Sequence, residues 1–130
     1  MFQKDLFKDK IVLVTGGGSG IGYSIAKEYL SLGAIVYIAS RNAEKIEKAV
    51  SELKRIGDVR AAIADIRETE HIEALAQKIK EEAGRLDILV NNAGGQFPSA
   101  AENISYNGFR AVITNNLIGT FYVTQIMAKT

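Results

Sequence analysis

The stretch Val14-Thr15-Gly16-Gly17-Gly18-Ser19-Gly20-Ile21-Gly22 decides the fold of this chain. The apolar run over 11–14 predicts a buried strand, and the pattern after the glycines predicts an amphipathic helix over about 21–32. A glycine-rich turn between strand and helix can hold a phosphate, because the helix N-terminus offers free N–H groups and a partial positive charge. The spacing Gly-x-x-x-Gly-x-Gly differs from the common Gly-x-Gly-x-x-Gly, and glycine-rich turns also occur without any ligand.

Composition limits the classes of protein to which the chain can belong. Its 130 residues, 47% of them hydrophobic and 24% charged, predict one globular domain over 1–130. A net charge of +1 gives no reason to expect a nucleic-acid or membrane partner, and the absence of cysteine excludes disulfides and thiolate metal sites. No metal site is expected. The charged N-terminal segment lacks the apolar core of a signal peptide, so we expect a soluble cytoplasmic protein.

Apolar strands alternate with one-sided helices along the rest of the chain. Further strands are predicted over 35–39, 59–64 and 86–90. Asn42 is a predicted N-cap, and Gly57 and Gly84 are predicted to end the second and third helices. This order, β-α-β-α-β-α-β-α, predicts an α/β fold with a doubly wound parallel sheet, the N-terminal half of a Rossmann-type domain.

The last segment predicts a loop over 96–103 and then a helix capped by Ser105 that runs to the end of the chain. Its apolar stripe is interrupted by a polar residue, Asn116. A buried asparagine must have its amide satisfied, so from the pattern alone Asn116 is interpreted as a core residue bonded to backbone. The stripe comprises Phe109, Val112, Ile113, Asn116, Leu117, Thr120, Phe121 and Thr124.

Four motifs in one order resemble those of the short-chain dehydrogenase/reductase family. They are Thr15-Gly16-x-x-x-Gly20-x-Gly22, Asp65 after the third strand, Asn91-Asn92-Ala93-Gly94 after the fourth, and Asn116-Leu117-x-Gly119-Thr120-Phe121 in the last helix. The resemblance covers nearly the whole chain and implies that the chain ends about halfway through a family member.

The resemblance assigns a role to each motif. It implies that the cofactor pyrophosphate is held by Gly16, Ser19, Gly20, Ile21 and Gly22, and that Asp65 and Ile66 meet the adenine ring. It implies that Asn92, Ala93 and Gly94 line the other side of the cofactor. Asn116 matches the family asparagine that binds a structural water in the proton relay, and this match replaces its interpretation as a core residue. Asn115 lies off the stripe and is expected to be solvated.

The end of the second strand favours NADP(H) over NAD. NAD-preferring sites usually place an acidic residue there to bond the ribose hydroxyls. Here the position is Ser40, followed by Arg41, and a hydroxyl and a guanidinium attract a 2′-phosphate that a carboxylate would repel. The alternative for Arg41 is a surface ion pair with Glu44.

The tyrosine, lysine and serine that the family uses in catalysis follow the asparagine motif and are absent from this chain. Tyr106 and Arg110 have the spacing of that tyrosine and lysine, but they precede Asn116 and arginine replaces lysine. Tyr106 therefore receives no catalytic role. His71 is solitary on a charged helix and is interpreted as a surface residue.

The loop Gly94-Gly95-Gln96-Phe97 resembles the branch of the family that reduces 2-enoyl-CoA and 2,4-dienoyl-CoA with NADPH. The substrate would then be a small molecule, an acyl-CoA. A 3-oxoacyl thioester reductase, an alcohol dehydrogenase and a non-catalytic NADP(H)-binding module remain alternatives, as does a peroxisomal location. The family also implies a homodimer or homotetramer, with the last helix in the interface.

Overall fold

The computed structural model describes residues 2–95 and 98–130 of an α/β fold. The strands are β1 (Ile11–Thr15), β2 (Ile35–Ser40), β3 (Val59–Ile63) and β4 (Ile88–Val90). The helices are α1 (Gly20–Ser31), α2 (Ala43–Leu53), α3 (Thr69–Ala83), α4 (Tyr106–Ile113) and α5 (Thr120–Met127), and a short 3₁₀ turn covers Ala101–Asn103. None of the helices within these described ranges combines the length and the apolar character needed to cross a bilayer.

The four strands form one parallel sheet in the order β3-β2-β1-β4. From β1 to β3, each strand is added to the sheet on the same side of the strand before it. The chain then crosses back, and β4 pairs with the other edge of β1. Thr15 at the end of β1 pairs with Ala39, and Val14 pairs with Val90. The strand order therefore reverses between β1 and β4, and a crevice at the carboxyl ends of these strands is where open α/β sheets bind ligands.

Helices cover both faces of the sheet, as predicted. Alternate residues of β1 and β2 point to opposite faces because the side-chain period of a strand is two. Leu13 and Tyr37 pack towards α3 and α5, whereas Val14 and Ile38 pack towards α1 and α2. All four side chains are fully buried, and this two-sided core confirms the doubly wound sheet.

Most of the residues that were predicted to begin or end a helix do so in the structure. The Asn42 side chain accepts from the Lys45 N–H at 3.1 Å, and the Ser105 hydroxyl accepts from the Gly108 N–H at 3.0 Å. Gly84 ends α3 in a left-handed conformation with φ +77. Gly57, however, lies in the turn beyond α2, which already ends at Leu53.

The prediction of one continuous last helix with a buried stripe was wrong in two respects. A π-helical segment, Thr114–Gly119, separates α4 from α5. In addition, the covered side of α5 carries Val123 and Met127, whereas Leu117 and Phe121 of the predicted stripe are 62% and 64% exposed. A sequence pattern shows that a helix has an apolar face, but which side is covered depends on the neighbouring elements.

Candidate functional site

The inner side of the glycine loop between β1 and α1 is tightly packed, because a Cβ at Gly16 or at Gly17 would come closer than 3.0 Å to a neighbouring side chain. Gly16 adopts φ +68, and its N–H donates to the Ala39 carbonyl at 2.7 Å. A Cβ at Gly22 would overlap the Asn92 Nδ2 atom and the Gly16 carbonyl oxygen. The loop is thus packed directly against the residues that follow β4.

The outer side of the same loop is open. Gly20 adopts φ +58, and a Cβ built there would meet no atom within 4 Å. Ser19, the N-cap of α1, makes no side-chain hydrogen bond to the helix, and the first turn contains no acidic residue. The N–H groups at this end of α1 can therefore receive an anion from solvent.

The Thr15 hydroxyl connects the loops that follow β1 and β4, a role that the sequence analysis missed. Thr15 is the one buried polar residue among those that the structure describes. Its Oγ1 accepts from the backbone N–H groups of Asn92 and Ala93, both at 3.0 Å, and donates to the Val90 carbonyl at 3.4 Å. A polar residue at the end of an otherwise apolar strand was the available signal.

Replacing Thr15 with valine should lower the free energy of unfolding by about 1–3 kcal/mol, because two backbone N–H groups lose their acceptor in a buried place. Thr15→Ser is the matched control, since it keeps the hydroxyl and loses only a methyl group, at a cost of about 1 kcal/mol. Urea unfolding measures both variants. A Thr15→Val variant as stable as Thr15→Ser would contradict the role of the hydroxyl.

A cavity of about 120 Å³ opens at the carboxyl ends of the central strands. Its wall brings together six residues that the sequence analysis placed at the cofactor: Gly16, Arg41, Asp65, Ile66, Ala93 and Gly94. Sites for drug-sized ligands are about 300–1,000 Å³, so this cavity can enclose only one end of a dinucleotide. Ala39, Ala64 and Asn115 complete the wall. Asn115, which was expected to be solvated, is half-buried in this wall.

Asp65 presents a carboxylate to this cavity. The Arg67 guanidinium donates to it from Nε at 3.0 Å and from Nη2 at 2.7 Å, and the Arg67 N–H also donates at 3.0 Å. These bonds, assisted by the nearby charge of Arg41, lower the pKa of Asp65 to about 2. Asp65 therefore remains an anionic hydrogen-bond acceptor at neutral pH.

Ser40 is the last residue of β2, and Arg41 begins the turn that follows it. The Ser40 Oγ accepts from the Asn42 N–H at 3.2 Å, so this hydroxyl shapes the turn. Ser40 is not in the wall of the cavity, whereas Arg41 is. Within the described ranges Arg41 forms no ion pair with Glu44 inside 4.0 Å, which removes the alternative interpretation of Arg41 as half of a surface pair.

Asn116 is exposed, so it is not the buried core residue that the apolar pattern alone indicated before the family match replaced that interpretation. Both its amide nitrogen and its amide oxygen are hydrogen-bonded to backbone. Its Nδ2 donates to the carbonyls of Gly95 at 2.6 Å and Val112 at 2.9 Å, and its Oδ1 accepts from the Gly95 N–H at 3.1 Å. A Cβ at Gly94 would overlap Oδ1. The π-helical segment thus places Asn116 against the loop after β4, and such segments are frequent at functional sites.

Two observations from the sequence do not contribute to the description of this site. Tyr106 lies at the start of α4 with 77% of its surface exposed, and nothing in its surroundings gives it a role in the site. Gln96 and Phe97, on which the resemblance to the enoyl-CoA branch depends, lie outside the described residues.

Comparison with known proteins shows the family of this chain. The model of the short chain dehydrogenase family matches residues 10–130, which is most of the chain. The chain belongs to the short-chain dehydrogenase family. This family binds nicotinamide cofactors, and the resemblance was based on four motifs: the glycine loop, Asp65, Asn91-Asn92-Ala93-Gly94 and the motif that begins at Asn116.

Individual family members are similar over nearly all of this chain. A peroxisomal 2,4-dienoyl-CoA reductase of Arabidopsis thaliana is 38% identical over 129 residues, 98% of this chain and 43% of its own. Among solved structures, the citronellol catabolism dehydrogenase AtuB of Pseudomonas aeruginosa PAO1 has a TM-score of 0.94 and 42% identity over 99% of this chain and 53% of its own. The RhlG/NADP active-site complex of Pseudomonas aeruginosa has a TM-score of 0.91 and 37% identity, over 98% of this chain and 50% of its own.

The chain therefore spans about half the length of the short-chain dehydrogenases that it matches.

Proposed function

We propose that this chain is the cofactor-binding half of an NADP(H)-dependent short-chain oxidoreductase. The observation that carries the proposal is the single cavity in which Arg41, Asp65 and the glycine loop meet, at the point where the strand order reverses. An arginine at the end of β2 suits a 2′-phosphate, because its charge persists at any physiological pH and its N–H groups match phosphate oxygens.

The chain offers a surface for each part of such a cofactor. The pyrophosphate is held by the glycine loop, because the open side of this loop adjoins the N-terminus of α1. The residues concerned are Gly16, Ser19, Gly20, Ile21 and Gly22. The adenine end of the cofactor lies at Asp65 and Ile66. Ser40 and Arg41 bind the phosphate on the ribose. The opposite wall is formed by Asn92, Ala93 and Gly94. When bound, the cofactor supplies or accepts a hydride at its nicotinamide ring, while the protein provides orientation.

The substrate proposed for the whole protein is a small molecule, an acyl-CoA whose carbon–carbon double bond is reduced. The Arabidopsis relative is named for 2,4-dienoyl-CoA reduction, which supports this class. The alternatives are reduction of a 3-oxoacyl thioester and oxidation of an alcohol. The similarity to a citronellol catabolism dehydrogenase supports retaining these alternatives.

We also propose that 1–130 is one cofactor-binding domain and that Asn116 serves a catalytic centre completed by a tyrosine, a lysine and a serine of a longer chain. The 130-residue chain alone is then inactive. A non-catalytic NADP(H)-binding module is the second candidate. The proposed compartment is the cytoplasm, with the peroxisome as its alternative because the Arabidopsis relative is named as peroxisomal.

The proposed oligomer of the whole protein is a homodimer or homotetramer. Large apolar side chains exposed along α4, the π-helical segment and α5 support it, because several of them on one stretch of chain favour an interface, whereas isolated exposed apolar residues are ordinary. Those more than half exposed are Tyr106, Phe109, Leu117, Ile118 and Phe121.

Calorimetric titration of the chain with NADPH and with NADH tests the cofactor proposal. We expect saturable binding of both, with NADPH at least about tenfold tighter because one charge-assisted contact contributes about 1.5–3 kcal/mol. Equal affinities would contradict the NADP(H) preference, and no binding would contradict the proposal altogether.

Native mass spectrometry of the gene product from its source cell separates the two candidates. A subunit about twice the mass of this chain supports the oxidoreductase, because a domain of ordinary size would follow Thr130. A subunit of this chain's own mass favours the binding module. The mass of the intact assembly reports the oligomeric state in the same experiment.

A further inference from the structure

His71 contacts the backbone of Asp65, which is more than its interpretation as a surface residue predicted. It lies in the first turn of α3, with its side chain largely exposed. Its Nδ1 accepts a hydrogen bond from the Asp65 N–H at 3.0 Å. Since a neutral imidazole has one donor and one acceptor nitrogen, this bond requires the proton to be on Nε2.

Asp65 is therefore held from two sides. Arg67 fixes the carboxylate, and His71 fixes the peptide group that begins the turn between β3 and α3. The backbone of this turn places both Asp65 and Ile66 in the wall of the cavity. A shift of the peptide at Asp65 would displace the two side chains to which the adenine end is assigned.

We propose that His71 is a positioning residue of the adenine subsite, and that it acts through the Asp65 peptide only while its ring is neutral. The inference rests on the proposed function, because it concerns the same dinucleotide. Protonation converts Nδ1 into a donor, and two N–H groups then face each other. The turn loosens, and dinucleotide binding weakens.

The groups around His71 carry charges of both signs. Its ring is reached by solvent, and it shares a groove with Glu47 of α2 and Lys78 of α3, one group of each sign. Asp65 and Arg67 are already paired with each other in the turn. Glu68 and Glu70 are the acidic neighbours on its own element. The contact to the Asp65 peptide is thus the feature of this environment that requires a neutral ring.

Two variants separate positioning from a general effect on stability. His71→Asn keeps an acceptor at about the place of Nδ1 but does not titrate, and His71→Ala removes the acceptor. The dissociation constant of NADP⁺ is measured for wild type and both variants at about pH 8 and about pH 5.5, on either side of the range in which imidazoles change charge. Thermal unfolding without ligand verifies that each variant is folded.

We expect wild type to lose about 3- to 10-fold more affinity on acidification than His71→Asn, which corresponds to one hydrogen bond. We expect His71→Ala to bind more weakly than His71→Asn at the higher pH. The cofactor phosphate also titrates near pH 6, but it does so equally in all three proteins. If His71→Ala does not fold, the comparison of wild type with His71→Asn decides alone.

Parallel pH profiles for wild type and His71→Asn would overturn the inference and leave the proposed function intact, since both proteins would still bind. Equal binding by His71→Ala and His71→Asn at the higher pH would also overturn it. Failure of wild type to bind NADP⁺ at either pH would overturn the proposed function together with the inference.

Discussion

Replacing Arg41 with aspartate should weaken the binding of NADPH by about 100-fold while changing that of NADH by less than about threefold. Arg41 lies in the wall of the cavity beside Asp65 and has no ion pair within the described residues that would hold it elsewhere. The substitution removes a cationic donor and adds a carboxylate that repels a 2′-phosphate. NADH presents hydroxyls at the same place, and a carboxylate accepts hydrogen bonds from them.

The matched control is Arg55→Asp, which makes the same change of charge at an exposed arginine beyond the end of α2. It should leave both affinities unchanged, apart from a small, salt-dependent loss. Calorimetric titration of the three proteins with both dinucleotides at two salt concentrations measures the effect. An equal loss of NADPH and NADH affinity in Arg41→Asp would show that Arg41 supports the loop and does not select the phosphate.

Local patterns in the sequence were sufficient to predict the fold. Strand and helix periods, caps such as Asn42 and stops such as Gly84 depend on residues within a few positions of each other. The glycine loop was predictable for the same reason, because its close packing and positive φ values require glycine at fixed spacing. The family resemblance added roles for Asp65 and Asn116 that no periodicity could provide.

The features that were missed depend on contacts that strand and helix periods do not specify. The bonds from Asn92 and Ala93 to the Thr15 hydroxyl cross more than 70 residues, so the polar residue at the end of an apolar strand could be noticed in the sequence but its partners could not be identified. Asn115 lines the cavity because a π-helical segment shifts the rotation of the last helix. His71 reaches back to Asp65 across a turn whose shape the sequence pattern does not specify.

Gly22→Ala should lower both the stability of the chain and its affinity for NADPH. Gly22 lies in the first turn of α1, where alanine is favoured over glycine by about 1 kcal/mol in an exposed helix. Its new Cβ, however, would overlap Asn92 Nδ2 and the Gly16 carbonyl oxygen, two atoms that are hydrogen-bonded to each other at 3.2 Å. We expect the free energy of unfolding to fall by about 1–3 kcal/mol, the usual cost of overpacking.

The same overlap must move the glycine loop away from the residues after β4, so the pyrophosphate donors lose their alignment. A hydrogen bond to a charged group contributes about 1.5–3 kcal/mol, and we therefore expect a loss on the order of 100-fold in NADPH affinity. Gly18→Ala is the matched control, because its Cβ would meet no atom closer than 3.7 Å. Urea unfolding and NADPH titration are measured on both variants. Gly22→Ala could instead prove as stable as Gly18→Ala and bind NADPH as tightly. The gain in helix propensity would then outweigh the overlap with Asn92 and Gly16. The close packing of α1 on the loop after β4 would in that case not be what organises the site.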